Sequence, residues 1–329
     1  MKRSVKIGLS LIVIGAVLAL IGFGFGGGSS SIFWNNGLKV IDRKTQKEKM
    51  VQQSYTYNEV KNIDVSTSLP VRIITGDVKK TTVKLMTYQK LPELSYQQKY
   101  LKITDKQAGS VSQGNVNIEF NITGFSWNYG NHGYQEGIVI TVPQSQSLSG
   151  IQIDGKNDSD VSLSDIQADK ITMQQVSDTD LTNTQVNHDL MIDGIEDGHL
   201  NKVTASTATI KSNDGDLTIQ HTHIRDGLNI KLEDGDLNMH QNHINTGKIN
   251  TSDGDVTSMN NQLSGQLTIT AQDGDISAMI GKSSVTAKTL SGDISAFNNH
   301  DDDQTSYTHK GTTGTYVIST DSGDVTIKQ

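Results

Sequence analysis

Apolar and polar residues alternate along most of this chain. In KNIDVSTSLPVRIITGD (61–77), Ile63 and Val65 are spaced by two, as are Val71 and Ile73. VKLMTYQ (83–89), YLKITD (100–105), VNIEFNI (116–122) and GIVITVP (137–143) repeat the pattern. A period of two predicts β-strands with one face buried. No stretch beyond residue 25 shows a 3.6-residue apolar stripe with caps, so almost no helix is expected there.

From about residue 151 the alternation itself recurs. SNDGDLTIQ (212–220) is echoed by LEDGDLNMH (232–240), TSDGDVTSM (251–259), AQDGDISAM (271–279), LSGDISAF (290–297) and DSGDVTIKQ (321–329). The last aspartate of the tripeptide, or its equivalent, falls at Asp160, Asp180, His199, Asp216, Asp236, Asp255, Asp275, Asp293 and Asp324. These steps average about 19 residues, except the last, which contains the polar stretch HDDDQTSYTHKGTTG (300–314), expected to be an insertion on an otherwise regular coil. Each unit reads as two strands. One starts at the tripeptide (Leu217/Ile219, Leu237/Met239, Val256, Ile276, Ile294). The other lies further on (Leu228/Ile230/Leu232, Ile249, Leu267/Ile269, Val285/Ala287). A unit this short cannot bury its apolar face alone, and stacking solves the problem. The expected fold is all-β, a single-chain parallel β-solenoid or β-helix. Its inward residues form columns such as Leu217–Leu237–Val256–Ile276–Ile294.

The N-terminus breaks the pattern. Lys2, Arg3 and Lys6 precede Ile7–Phe25, which carries no charge. Nineteen helical residues at ~1.5 Å rise would span ~28 Å, about one hydrocarbon thickness. The basic residues place the N-terminus in the cytoplasm and the rest outside. The expected order is a cytoplasmic tail at 1–6, a transmembrane signal anchor at 7–25 and a flexible linker at 26–53. An extracellular solenoid follows at 54–329, with an N-terminal β part (54–150) and regular repeats (151–329). Ile32, Phe33 and Trp34 are candidates for the outer interface. A cleaved signal peptide is the competing reading, but the apolar run is long and no clear A-x-A site follows.

Composition narrows the function. Only 34% of residues are hydrophobic and 5% aromatic, which suits the thin core of a repeat protein. A net charge of −8 without a basic patch argues against nucleic-acid binding. The absence of cysteine removes disulfides, thiolate metal sites, a Cys nucleophile and a lipoprotein anchor.

The tripeptides are the obvious chemical candidates. Stacking would set equivalent aspartates about 5 Å apart, where two unit charges in water repel by a little under ~1 kcal/mol. Calcium would offset that repulsion, and Asp214, Asp216, Asp234, Asp236, Asp253, Asp255, Asp273 and Asp275 are its candidate ligands. The offset can equally be local. An aspartate at a corner accepts backbone N–H bonds, and glycine supplies the turn. Carboxylate catalysis needs one singular pair in unlike environments, whereas these carboxylates recur in every unit. His221, His223, His240 and His243 form a second group, in which His221 and His240 fall at the same phase of adjacent units, and read either as solvated turns or as transition-metal ligands. Phe125, Trp127, Tyr129 and Tyr134 cluster in ITGFSWNYGNHGY (122–134), either as a recognition surface or as a cap on the open end of the core.

The entry strand KNIDVSTSLPVRIITGD, the strand GIVITVP ending in proline, and the ladder of xGD units resemble the putative-adhesin family of bacterial β-solenoids, which includes LiaG-like envelope-stress proteins of Gram-positive bacteria. The resemblance covers about 55–329. It implies a membrane-anchored, non-enzymatic surface solenoid that binds an envelope protein or polymer, without a cofactor. A carbohydrate-active β-helix enzyme and a calcium-binding structural surface protein are the alternatives.

Overall fold

A computed structural model describes residues 50–88, 90–105, 136–297 and 304–329. It also gives the backbones of Ser30–Trp34, Leu38–Asp42, Val116–Asn121 and Gly124–Tyr129. All regular structure among the described residues is β, and no helix there is long and apolar enough to cross a membrane. The expected anchor at 7–25 lies outside the described residues. The chain divides into two units.

The larger unit comprises 53–85, 91–111 and 137–329, and it is a parallel solenoid. Successive coils pair in register, so equivalent inward residues stack. One column runs Val161, Thr179, Gly198, Leu217, Leu237, Val256 and Ile276. These strands alternate buried and half-exposed residues, as the period of two requires. Several coils use three strands where two were expected. Gln185–Val186, Asp189–Ile195 and Gly198–Asn201 form one such coil, and His243–Ile244, Gly247–Asp253 and Val256–Met259 another.

Stacking does not follow the sequence at either end of this unit. The column expected to pass from Ile276 to Ile294 passes instead from Ile276 to Val325 and then to Ile294. Thr315–Ser322 and Val325–Lys328, the last strands in the chain, therefore lie between two earlier coils. The long final step is thus a return path, and the expectation of an insertion on an otherwise regular coil is corrected. Ser306–His309 pairs antiparallel with Ser284–Ser291, on the edge that Thr315–Ser322 leaves open. At the other end, Asn62–Thr67 pairs with the strand Leu148–Ser164 on one side and with Tyr100–Thr104 on the other. Glu93–Gln97 then adds antiparallel to Tyr100–Thr104. A strand of opposite direction cannot template another parallel coil, so both ends are blunted against further stacking.

The core narrows toward the C-terminal coils, where Ser258, Ala278 and Ala296 occupy inward positions. Tyr316, fully buried between Leu267 and Val285 in register, fills that space, its hydroxyl 3.4 Å from Ser258 Oγ. Burial pushes its phenol pKa up, and the Ser258 hydroxyl partly opposes this.

The smaller unit comprises 1–52, 86–90 and 112–136 and holds two antiparallel ribbons. Ser30–Trp34 pairs with Leu38–Asp42, within the stretch read as linker. Val116–Asn121 pairs with Gly124–Tyr129.

Candidate functional site

The xGD tripeptides build one corner of the solenoid. In each, glycine takes a positive φ, from +97° at Gly215 to +151° at Gly292. The glycines stack so closely that a Cβ on Gly235 would lie 2.1 Å from the carbonyl oxygen of Gly215. Only glycine fits there, on both conformational and steric grounds.

The second aspartate of each tripeptide joins one coil to the next. The Asp236 N–H donates to Asp216 Oδ1, the Asp255 N–H to Asp236 Oδ1, and the Asp275 N–H to Asp255 Oδ1, each at 2.8 Å. The series begins with Asp216 N–H on Asp197 and continues through Asp324 and Asp293 in their spatial order. Each carboxylate thus accepts a peptide N–H, a charge-assisted bond, from the coil stacked on it. From inside the corner, Ser212 Oγ donates to Asp214 O and Thr320 Oγ1 to Gly274 O.

The first aspartates form a neighbouring row, in which Asp253 and Asp273 are register partners. Loss of solvent, followed by Asp253 and Asp214, raises the Asp234 pKa. The eight calcium candidates therefore fall into two rows along one edge. Among the described residues, no three or more His, Cys, Asp or Glu side chains gather as a metal site.

Sequence reasoning did not single out Asp178 and Glu196, which lie near Asp160 at the N-terminal end of this edge. Burial raises Asp178, with Asp160, Asp197 and Glu196 adding to the effect. Asp160 is also raised by burial, partly opposed by the backbone bond from Asp178, while Glu196 adds to the rise. Ser177 Oγ donates to Glu196 Oε2 at 2.8 Å. Asp178 and Glu196 precede Asp180 and His199 by two and three residues, outside the repeating position, so the repeat does not mark them.

A different corner carries the histidines. Lys202, His221, Gln241 and Asn260 all have positive φ, near +51° to +56°. The residue after each points inward: Val203, Thr222, Asn242 and Asn261 are buried. The Thr222 N–H donates to Asn242 Oδ1 and the Asn242 N–H to Asn261 Oδ1, both at 2.8 Å. Asn242 Nδ2 donates to Ile219 O, and Asn261 Nδ2 to Met239 O. This is a buried amide ladder that the sequence reading did not anticipate. Outside it, the rings of His223 and His243 meet edge-on at 4.7 Å between centroids, and those of His221 and His240 at 6.4 Å. Burial, then His243 and Arg225, lowers the His223 pKa. His221, Gln241, Asn242, His243, Asn260 and Gln262 line an open groove here.

Phe125, Trp127 and Tyr129 lie on the strand Gly124–Tyr129 of the smaller unit. Tyr134 lies outside the described residues.

Residues 60–328 of the chain match one family model, Toastrack DUF4097. The chain belongs to the Toastrack DUF4097 family. The β-solenoid family named from the motifs stands with this match. Among solved structures, one named a putative adhesin, from Bacteroides fragilis, is 14% identical; the match covers 85% of this chain and 96% of that one, with a TM-score of 0.41. A putative lipid binding protein from Parabacteroides distasonis is 11% identical, with coverage of 85% and 97% and a TM-score of 0.43. A putative cell adhesion protein from Clostridium sporogenes is 13% identical, with coverage of 85% and 99% and a TM-score of 0.21. No curated protein matches the chain.

Proposed function

We propose that this Toastrack chain is a non-catalytic, cell-surface interaction module, an adhesin or envelope-stress component of LiaG-like type. In this reading the 7–25 segment anchors it in the membrane of a Gram-positive cell. The solenoid then presents its polar outer faces to an envelope protein or polymer. The observation that carries the reading is the use of the xGD carboxylates, each of which accepts a backbone N–H from the next coil. They join the coils instead of converging on a substrate.

The test is binding of the full chain, held in detergent, to washed envelopes, with outward residues replaced in groups. Replacing Thr218, Asn238 and Thr257 together, and then the His223/His243 pair, should weaken binding in steps. Unchanged binding after every group is replaced would sink the reading.

One observation favours a second reading, a carbohydrate-active enzyme. Asp160 and Asp178 are raised and lie close to Glu196, and catalytic acids share that property. Release of reducing ends from envelope polysaccharide, abolished by Asp178→Asn alone, would establish it.

A further inference from the structure

Of the four histidines at the second corner, the fold sets two in register. His223 and His243 are partners on adjacent parallel strands, so their side chains leave the same face one above the other. Both are exposed. His240 is instead the register partner of Gln220, one residue before His221, and its ring stands 6.4 Å from that of His221.

Distance separates the two pairs chemically. Zinc bonds an imidazole nitrogen at about 2.0–2.1 Å, which puts the ion about 3.2 Å from the centre of the ring. For N–metal–N angles between a right angle and the tetrahedral value, two ring centres then stand roughly 4.4–5.2 Å apart. The centres of His223 and His243 are 4.7 Å apart, with the ring planes inclined at 61°. The 6.4 Å of His221 and His240 falls outside that range.

The surroundings of the pair suit metal binding. Ser264 Oγ lies 3.3 Å from His243 Nε2. With the hydroxyl accepting from Nε2–H, the lone pair is on Nδ1 and the ring is held in place, as outer partners do for metal-bound histidine. Loss of solvent, then His243 and Arg225, lowers the His223 pKa, which keeps that imidazole neutral at pH 7 and able to ligate. The Arg225 guanidinium is held by Asn187 O and Ser206 Oγ on earlier coils. Thr204 and Gln262, the register partners on either side of the pair, carry no charge.

We propose that His223 and His243 together bind a divalent transition-metal ion of the zinc and copper class, in a two-imidazole site that joins consecutive coils. Imidazole takes these ions, whereas calcium and magnesium prefer oxygen. Among the described residues no third His, Cys, Asp or Glu gathers there, so water fills the other coordination positions. The site is independent of the interaction reading above, because the ion needs no partner molecule.

The test uses the full chain in detergent at neutral pH, titrated with zinc chloride by calorimetry and with copper chloride by electron paramagnetic resonance. Zinc should bind at micromolar concentration, and the copper signal should show splitting from two nitrogens. His223→Ala and His243→Ala should each weaken zinc binding by about tenfold or more, and Ser264→Ala by less. His240→Ala should leave it unchanged, as should excess calcium. His223→Gln and His243→Gln serve as second variants, and urea midpoints without metal should match the parent in all of them. Binding that needs millimolar zinc, an adventitious ion only, overturns the proposal. So does a loss in His240→Ala equal to that in His243→Ala, or a copper signal that keeps both nitrogens in the His223/His243 double variant.

Discussion

Two corners of the same solenoid perform the same task by opposite means. At both, the chain turns sharply and the N–H of a stacked residue needs an acceptor. The xGD corner uses a stacked glycine and a carboxylate on the outside, as in Asp236 N–H to Asp216. The histidine-bearing corner uses a non-glycine residue at positive φ and an amide on the inside, as in Thr222 N–H to Asn242. The first acceptor is hydrated and charged, so its removal lets water take its place. The second is buried, so its removal leaves orphaned polar groups. The conspicuous residues thus hold the bond that costs less to lose, and the inconspicuous ones the bond that costs more.

The largest effect should come from the glycine. Gly235→Ala places a methyl group against the Gly215 carbonyl at positive φ and should cost about 4 kcal/mol, read as a loss of chemical stability in urea. Next is the buried amide. Asn242→Ala leaves the Thr222 N–H and the Ile219 carbonyl without partners and should cost about 2–3 kcal/mol. Asp236→Ala, at the equivalent role on the exposed corner, should cost only about 0.5–1 kcal/mol. If Asp236→Ala proved more damaging than Asn242→Ala, the contrast between the corners would be reversed.

The smallest effect separates the corners by titration. Asp160, Asp178 and Asp234 have raised pKa values in the folded chain, so the folded state holds protons that the unfolded state has released. Their contribution is fully present below the ordinary carboxylate value of about 4 and is lost as pH rises through the raised values. Asp178→Asn should flatten this decline in urea midpoints measured above pH 4. Asn242→Ala should shift those midpoints equally at every pH.

The same contrast explains what could be read without a structure. Glycine and aspartate at a fixed period announce the xGD corner, and Leu217, Leu237, Val256 and Ile276 stack as their spacing implies. Asn242 and Asn261 carry no such signal, since a buried asparagine looks like a loop residue until its partners are known. The position of Thr315–Lys328 was hidden for another reason. Ile276, Ile294 and Val325 each present a β-branched apolar residue directly after Gly-Asp, so stacking in any order satisfies the pattern. Tyr316 and the narrow coils around it fix the order by volume, which alternation does not encode. The carboxylates of the acidic rows bond to backbone N–H groups, which side-chain motifs do not show.

The central claim is that the repeating aspartates are acceptors in a stack and not ligands or catalysts. Replacing Asp216, Asp236, Asp255 and Asp275 together by asparagine keeps an oxygen for each N–H bond and removes four charges. Thermal unfolding of this variant and its parent, with and without millimolar calcium, tests the claim directly. The account predicts a midpoint equal to or above that of the parent, because repulsion along the row is relieved, and no calcium response in either protein. A parent strongly stabilised by calcium, with that gain lost in the asparagine variant, would contradict it.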